Sequence, residues 1–579
     1  MIATFDAILQ SMSSRLVAVV AAISIVGAAC GTSVQTTQQA GTAAPTAPPS
    51  EAAAASAPPC PGTPAAAPVP WWQERVFYEV FVRSFADSDG DGIGDLRGLT
   101  DRLDHLNDGD PATTDDLGVT ALWLMPVAES PSYHGYDVVD YRSIEADYGS
   151  NDDFRTLITE ARQRGIEIIV DLVMNHSSVE HPWFIEGRTV GSARDDWYVW
   201  SDTRPPSSGP GGRPVWHQDG ERWYYGYFWE GMPDLNLADP DVIGEFDDIA
   251  RFWLQDQGVA GFRLDAARHL IEDGDVLENT PETMAWLRAF RERVHATRAD
   301  ALVLGEVWDA TSVASRYVRD GSLDLTFDFG LASQMLSAIR FGDAASLAIT
   351  QAEVNESYPA GGYAAFLTNH DQDRTMDVLD REIAAARQAA TLLLTNPGVP
   401  FIYYGEEIGL RGRKPDERIR TPMPWSGDAP GYGFTTGEPW EPFAEDAGAT
   451  SVAVQRDDPA SLFAWYRSLI ALRAAHPALT PRGSLAALIA SAKGVYGVLR
   501  HDPISGDTIA IISNLTGDAV KDVAVSLAAG PLCAEPTAVD LLDPDRVLAR
   551  PAVSPSGGLE PWVLGTIGPH EDLLIELAP

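Results

Sequence analysis

Eight short apolar runs recur along the chain, and most of them end in polar residues. They are VFYEVFVRSF (76–85), VTALWLMPV (119–127), IEIIVDLVM (166–174), GVAGFRLD (258–265), ALVLGEVW (301–308), LDLTFDF (323–329), YAAFLTNHD (363–371) and VPFIYYGEE (399–407). Strands buried on both faces need such nearly continuous apolar character. Between most of the runs the apolar spacing shifts to a helical period, for example over 152–164, 241–256, 282–298 and 382–395. Strand alternating with helix predicts a parallel sheet, and eight such units predict an α/β fold, the (β/α)8 TIM barrel. A helical stretch over 459–475 closes it.

One connection is too long for a barrel loop. Residues 177–240 hold no clear barrel helix and are rich in Gly, Pro and aromatics, which predicts a subdomain inserted after the third strand. The barrel then lies in two parts, 71–176 and 241–483. From 484 to 579 the pattern becomes short strands with turns (GVYGVLRHD, DTIAIISNL, VKDVAVSLA), which predicts a C-terminal antiparallel β domain.

The N-terminus follows different rules. From Met12 the chain reads MSSRLVAVVAAISIVGAAC: a short segment with Arg15, an apolar stretch over 16–29, then small residues before Cys30. Residues 1–30 resemble a bacterial lipoprotein signal, with Cys30 as the lipidated residue. Residues 1–11 carry Asp6 and no positive charge, which points to Met12 as the start. The stretch is short for a membrane span. Residues 31–70 are Ala, Pro, Thr, Ser and Gly with almost no charge, and predict an extended tether. The expected location is extracytoplasmic, lipid-anchored to a bacterial cell membrane. Cys60 and Cys533 are the only other cysteines, available to pair in an exported protein. No zinc or redox spacing occurs.

With 579 residues, 45% of them hydrophobic, the chain is long enough for several domains and a sizeable core. Its formal charge of −42, with lysine only at Lys414, Lys493 and Lys521, argues against nucleic acid or an anionic membrane surface as partner. A neutral substrate is compatible with it.

The candidate chemistry stands where four runs end: DLVMNHSS (171–178), GFRLDAARH (261–269), GEVW (305–308) and FLTNHDQDR (366–374). In a barrel these ends reach the open mouth. Arg263 and Asp265, two apart, share one side of their strand, and a guanidinium there keeps Asp265 ionised, as a nucleophile requires. Carboxylates near Glu306 favour its neutral acid form, which suits a proton donor. Two carboxyls about 5–5.5 Å apart carry out glycoside hydrolysis with retention. Asp371, beside His370, is a third carboxylate fit to bind sugar hydroxyls. In the insert, Trp183, Trp197, Trp200, Trp216, Trp223 and Trp229 with their Tyr and Phe neighbours offer either a small core or stacking faces for sugar rings.

The segment from Asp87 through Asp89, Asp91 and Ile93 to Asp95 reads as a calcium loop. Oxygen ligands alternate, glycines turn the chain, and Ile93 offers a backbone carbonyl. It is not an EF-hand, because position twelve is Gly98 and the loop follows a strand. Its expected role is structural.

The four segments resemble the conserved regions of the α-amylase family, glycoside hydrolase family 13, over about 71–579. The resemblance implies that Asp265 is the nucleophile, Glu306 the acid/base and Asp371 the transition-state stabiliser. It implies that Arg263, His176 and His370 support the sugar subsite, and that His134 and Tyr136 of HGYDVVDY (134–141) line it. Arg268, His269 and Arg374 are further candidates for substrate contact. MPDLN (232–236) resembles the group intermediate between oligo-1,6-glucosidases and neopullulanases. RTPMPW (420–425) resembles the RTPMQW of glucosidases and trehalose synthases, with Pro424 departing from it. Ala266-Ala267-Arg268-His269 resembles the AAKH of exported lipoprotein amylases, Arg268 replacing Lys with a different donor geometry. A loop like 87–95 occurs in oligo-1,6-glucosidase-like members, and many α-amylases imply a second calcium site at Asn175 and Asp234. The implied activity is retaining hydrolysis of α-1,4 bonds in starch or maltodextrins. An α-glucosidase or neopullulanase-like enzyme on short oligosaccharides is the alternative, and a non-catalytic membrane-anchored partner subunit a third. The sequence is silent on oligomeric state.

Overall fold

The structure is a computed structural model that describes residues 69–533 and 535–578. The signal segment, Cys30, the tether to residue 68 and Cys60 lie outside the described residues. Cys533 is disulfide-bonded. Among the described residues, 208–213 fall outside the main compact unit and carry one 3-10 turn, Pro210–Gly212.

Each of the eight apolar runs contributes one barrel strand: β1 (Phe77–Val80), β2 (Ala121–Leu124), β3 (Glu167–Leu172), β4 (Gly261–Leu264), β5 (Leu302–Gly305), β6 (Leu325–Phe327), β7 (Tyr363–Ala365) and β8 (Val399–Tyr403). All pair in parallel with their sequence neighbours, and β8 closes on β1. The strands are shorter than the runs, because the C-terminal part of each run leaves the ladder and becomes the mouth of the barrel.

Strand alternation explains where polar residues fall. Inward positions low in the barrel are apolar: Phe77, Ala121, Ile169, Leu302, Leu325, Ala364 and Val399 belong to one interior cluster. Phe77 stacks on Phe401 with ring centroids 4.3 Å apart. Two residues higher, the inward positions become Glu79 on β1, Asp171 on β3 and Arg263 on β4, all buried. Register sets Asp171 beside Arg263. The outward strand faces pack on the helices through a second core that includes Tyr78, Leu122, Ile168, Phe262 and Val303.

The helices begin where the sequence caps them. Asn151–Gln163 has a capping box of Ser150 and Asp153, and Pro281–Thr297 is capped by Thr280 with Pro at its first position. Pro240–Arg251 is capped by Asp239, runs on as a π-helical turn (Phe252–Gln257) and stops at Gly258 in the left-handed region. Two helices, Phe329–Phe341 and Ala344–Ser357, follow β6.

The insert after β3 carries a three-stranded sheet of Trp200–Ser201, Arg222–Tyr225 and Trp216–Asp219. Most of its aromatics build its own core: Trp183 packs edge-on to Trp197, and Phe184 stacks on Trp200. The C-terminal domain has a five-stranded and a three-stranded sheet enclosing a separate apolar cluster around Ile512, Val525, Trp562 and Ile575.

Candidate active site

Arg263 is the hub of the barrel mouth. It is fully buried and sits over the Trp123 ring, 5.2 Å from its centroid. Its Nη1 donates to both oxygens of Asp171 at 3.0 Å and to Asp265 Oδ1 at 2.7 Å. Its Nη2 lies 2.8 Å from Glu306 Oε2. One cation thus holds three carboxyls. The backbone N–H of Ala266 also donates to Glu306 Oε2, at 3.1 Å. Ala266 adopts a positive φ of 47°, a strained turn directly after Asp265 of the kind that gathers at functional sites.

The protons of this cluster divide by environment. Burial pushes Glu306 up to about 7; Arg263 opposes this, and the charges of Asp265 and Asp371 add to it. Burial raises Asp265 as well, opposed first by Arg263. Asp265 accepts the short charge-assisted bond from Arg263 and a hydrogen bond from Glu306, so the Glu306 carboxyl keeps the proton. Asp171 is raised to about 8 by burial against the pull of Arg263. Asp371 is partly buried, which raises it, yet the facing His370 ring and the cations Arg420, Lys414 and Arg263 together hold it down at about 2. The site therefore presents an acid at Glu306 and anions at Asp265 and Asp371.

The remaining wall is built of neutral His and Tyr side chains and one cation, Arg420. His134 Nδ1 accepts the Tyr136 backbone N–H at 3.1 Å, which leaves Nε2–H as its free donor. His176 is driven down to about 4 by burial, and its Nε2 has no hydrogen-bond partner among the described residues. Tyr136 joins Asp171 at 3.2 Å and His370 Nε2 at 2.7 Å. Arg420 donates to Asp371 Oδ1 and to the His370 carbonyl, both at 3.0 Å.

These residues line one cleft of about 370 Å³. It gathers His134, Tyr136, His176, Asp265, Arg268, His269, Glu306 and Asp371 of the sequence candidates. Arg263 and His370 stand directly behind its wall, bonded to these residues. His269 lines it with both ring nitrogens already engaged, by Leu277 O and by Arg268 Nε. Arg374 does not reach the cleft. It is buried across the Tyr403 and Tyr404 rings and donates to the Tyr404 and Ile419 carbonyls, so it braces the loop after β8 rather than substrate. Asp416, Arg420, Met232 and Trp308 also line the cleft and were not among the candidates, whereas Phe228 and Trp229, which line it too, come from the aromatic-rich insert that offered stacking faces. Arg420 opens the RTPMPW motif, so a signal for it existed.

In the acidic loop, Asp87, Asp89 and Asp91 bring one carboxylate oxygen each within 4.8 Å of one another. Gly92 holds φ 95°, and a Cβ there would strike the Glu438 carbonyl at 1.8 Å, so only glycine permits this turn. This all-oxygen set fits a hard cation. Asp95 is differently employed: it caps Leu96–Asp101 through Gly98 N and accepts from Ser88. Ile93 donates its N–H to Asp91 at 2.8 Å. At the second candidate site Asn175 Nδ2 donates to Asp234 Oδ2 at 2.9 Å, while Asn175 Oδ1 is buried without a partner among the described residues.

A family profile described as the catalytic domain of α-amylase matches residues 79–482. Over 409 residues the chain is 38% identical to α-amylase 3 of Dictyoglomus thermophilum, covering 70% of this chain and 78% of that protein. It is 32% identical over 477 residues to a probable α-glucosidase of Rhizobium meliloti, covering 71% and 83%. The crystal structure of the α-amylase from H. orenii superposes with a TM-score of 0.75 at 38% identity, covering 87% of this chain and 99% of that one.

Proposed function

The chain belongs to the α-amylase family of glycoside hydrolases, and on that premise we propose that it is an α-amylase acting on the α-1,4 bonds of starch and maltodextrins. The enzyme is a retaining glycoside hydrolase. Asp265 attacks the anomeric carbon while Glu306 gives its proton to the departing glycosidic oxygen. A water then enters, Glu306 takes its proton, and the Asp265–sugar bond breaks. Asp371 accepts hydrogen bonds from ring hydroxyls, and Arg263 holds the two reacting carboxyls in register.

The observation that supports a polymeric glucan is the aromatic surface beyond the carboxyls. Trp308 is 39% exposed and stacked on Phe329, and Trp229 is 49% exposed, both on the cleft. Exposed rings at that point suit successive sugar faces. A second reading, an α-glucosidase on short chains, is favoured by Asp416 and Arg420, which crowd the Asp371 side of the cleft. A time course on soluble starch and maltoheptaose separates them. Mid-length maltooligosaccharides with fast loss of viscosity are expected; early glucose alone, with starch untouched, would leave the α-glucosidase.

Calcium at Asp87, Asp89 and Asp91 is proposed as a structural ion. Bound at a hundredfold excess over its Kd it would stabilise the fold by about 2.7 kcal/mol. EGTA is therefore expected to lower the melting temperature of the wild type and not that of D89A/D91A. Equal melting curves with and without chelator in the wild type would dismiss the ion. Lipid anchoring through Cys30, outside the cytoplasm, stays part of this proposal and is read by metabolic labelling with a fatty acid.

A further inference from the structure

Below the cleft a carboxyl lies where the glycosidase mechanism uses none. Glu79 projects into the barrel from β1 and is 2% exposed. Its Oε1 is 2.6 Å from His370 Nδ1. Beyond the ring the contacts continue: His370 Nε2 to the Tyr136 hydroxyl at 2.7 Å, and that hydroxyl to Asp171 Oδ2 at 3.2 Å.

With a neutral imidazole, such a chain has only two consistent polarities. In one, Glu79 donates to Nδ1, Nε2–H donates to Tyr136, and Tyr136 donates to Asp171. In the other every arrow reverses, and Asp171 must supply the proton. Two contacts choose between them. Asp371 Oδ2 also faces Nε2, at 3.3 Å, and Arg420 holds Asp371 as an anion. Two acceptors converging on Nε2 require a proton there. At the far end both oxygens of Asp171 accept from the Arg263 guanidinium, whereas Glu79 meets the imidazole and the backbone N–H of His370 and, among the described residues, no cation within hydrogen-bond reach. A neutral acid is therefore cheapest at Glu79.

We propose that Glu79 is a neutral carboxylic acid that donates its proton to His370 Nδ1 and fixes the ring as the Nε2–H tautomer facing Asp371 and Tyr136. Glu79 is thus a positioning residue: it touches no substrate and acts through His370. Burial agrees, pushing Glu79 well above the usual carboxylate range against Arg263, and His370 well below the usual imidazole range. The charged and titratable groups around Glu79 are Arg263 on β4, Asp171 on β3, His370 and Asp371 after β7, and Tyr403 on β8. A neutral Glu79 adds no charge to that already anionic set. The inference rests on glycoside hydrolysis at this cleft and not on which linkage is cut.

The test is ¹⁵N NMR of the full chain labelled at histidine, with the His370 signals assigned by their loss in H370N. One protonated nitrogen, Nε2, and one bare nitrogen, Nδ1, are expected from pH 5 to 8. Glu79→Gln supplies an amide N–H to the same nitrogen. It should keep that pattern and the pH profile, with kcat/KM on maltoheptaose within about threefold of wild type, since a comparable hydrogen bond remains. Glu79→Met should lose roughly ten- to a hundredfold in kcat, as when a partner that orients a histidine is removed. An imidazolium or Nδ1–H signal in the wild type overturns the proposal, as does E79Q losing as much as a folded E79M. If E79M does not fold, the spectra of wild type and E79Q still decide. The spectra also decide if maltoheptaose proves to be a poor substrate.

Discussion

Asp265→Asn is expected to lower kcat on maltoheptaose on the order of 10⁶-fold, the scale seen when an enzyme loses its nucleophile. The amide cannot form the covalent sugar ester, and no neighbouring group replaces it. Asp171 is turned to Arg263 with both oxygens, and Asp371 is held by Arg420. The fold should survive, because the Arg263 guanidinium keeps Asp171 and Glu306 as partners and is not left as a bare buried charge. Melting temperature and circular dichroism check that point. Mass spectrometry of the wild type with a fluorinated, slowly released glycosyl donor should show one sugar on the peptide containing Asp265. Residual activity of D265N within tenfold of wild type, or a label on another peptide, would refute the assignment.

How the chemistry was legible is visible in the same residues. The barrel was readable because eight apolar runs alternate with helical spacing, and physics gives that pattern few other solutions. That Asp265, Glu306 and Asp371 would meet at one cleft was readable because charged groups at the ends of apolar strands have no structural excuse. Arg374 misled for the opposite reason. It stands in the same short segment as His370 and Asp371, yet the chain turns after Asp371 and carries it behind β8, where aromatic faces and carbonyls satisfy it. Sequence order cannot show that turn. Arg420 was underestimated because its partner Asp371 lies 49 residues away in the chain. Glu79 offered a signal that went unused: a lone carboxylate inside the run VFYEVFV, two residues after an inward Phe77. Alternation alone puts it inside the barrel, where a carboxylate needs a partner.

The insert shows the limit from the other side. Its aromatic richness suggested either a core or a sugar platform, and composition cannot separate the two. Packing does: Trp183 and Trp197 are buried against each other, while Trp229 keeps half its surface free at the cleft. The decision lies in tertiary contacts between residues whose types are the same.

Glu306→Gln should have the second largest effect, and a particular pH signature. As general acid Glu306 must be protonated, and its carboxyl is pushed up to about 7 by burial, with Asp265 and Asp371 adding to the shift. Wild-type kcat/KM should therefore fall as pH rises through about 7. E306Q should lose about 10²- to 10⁴-fold on maltoheptaose and lose that basic limb altogether. On an aryl glycoside whose leaving group needs no proton, the first step should be much less impaired. The same shift fixes the sign of a stability change. A carboxyl that titrates near 7 when folded and near about 4.3 when unfolded binds its proton more tightly in the native state. Its contribution to stability is complete below the unfolded value and is lost as pH rises through the folded one. Glutamine cannot ionise, so E306Q should melt higher than wild type at pH 8 and gain less at pH 5. Differential scanning calorimetry across that range reads it directly. A melting difference that shrinks toward pH 8 would mean that Arg263 holds Glu306 ionised, and the proton donor would have to be sought elsewhere in the cleft.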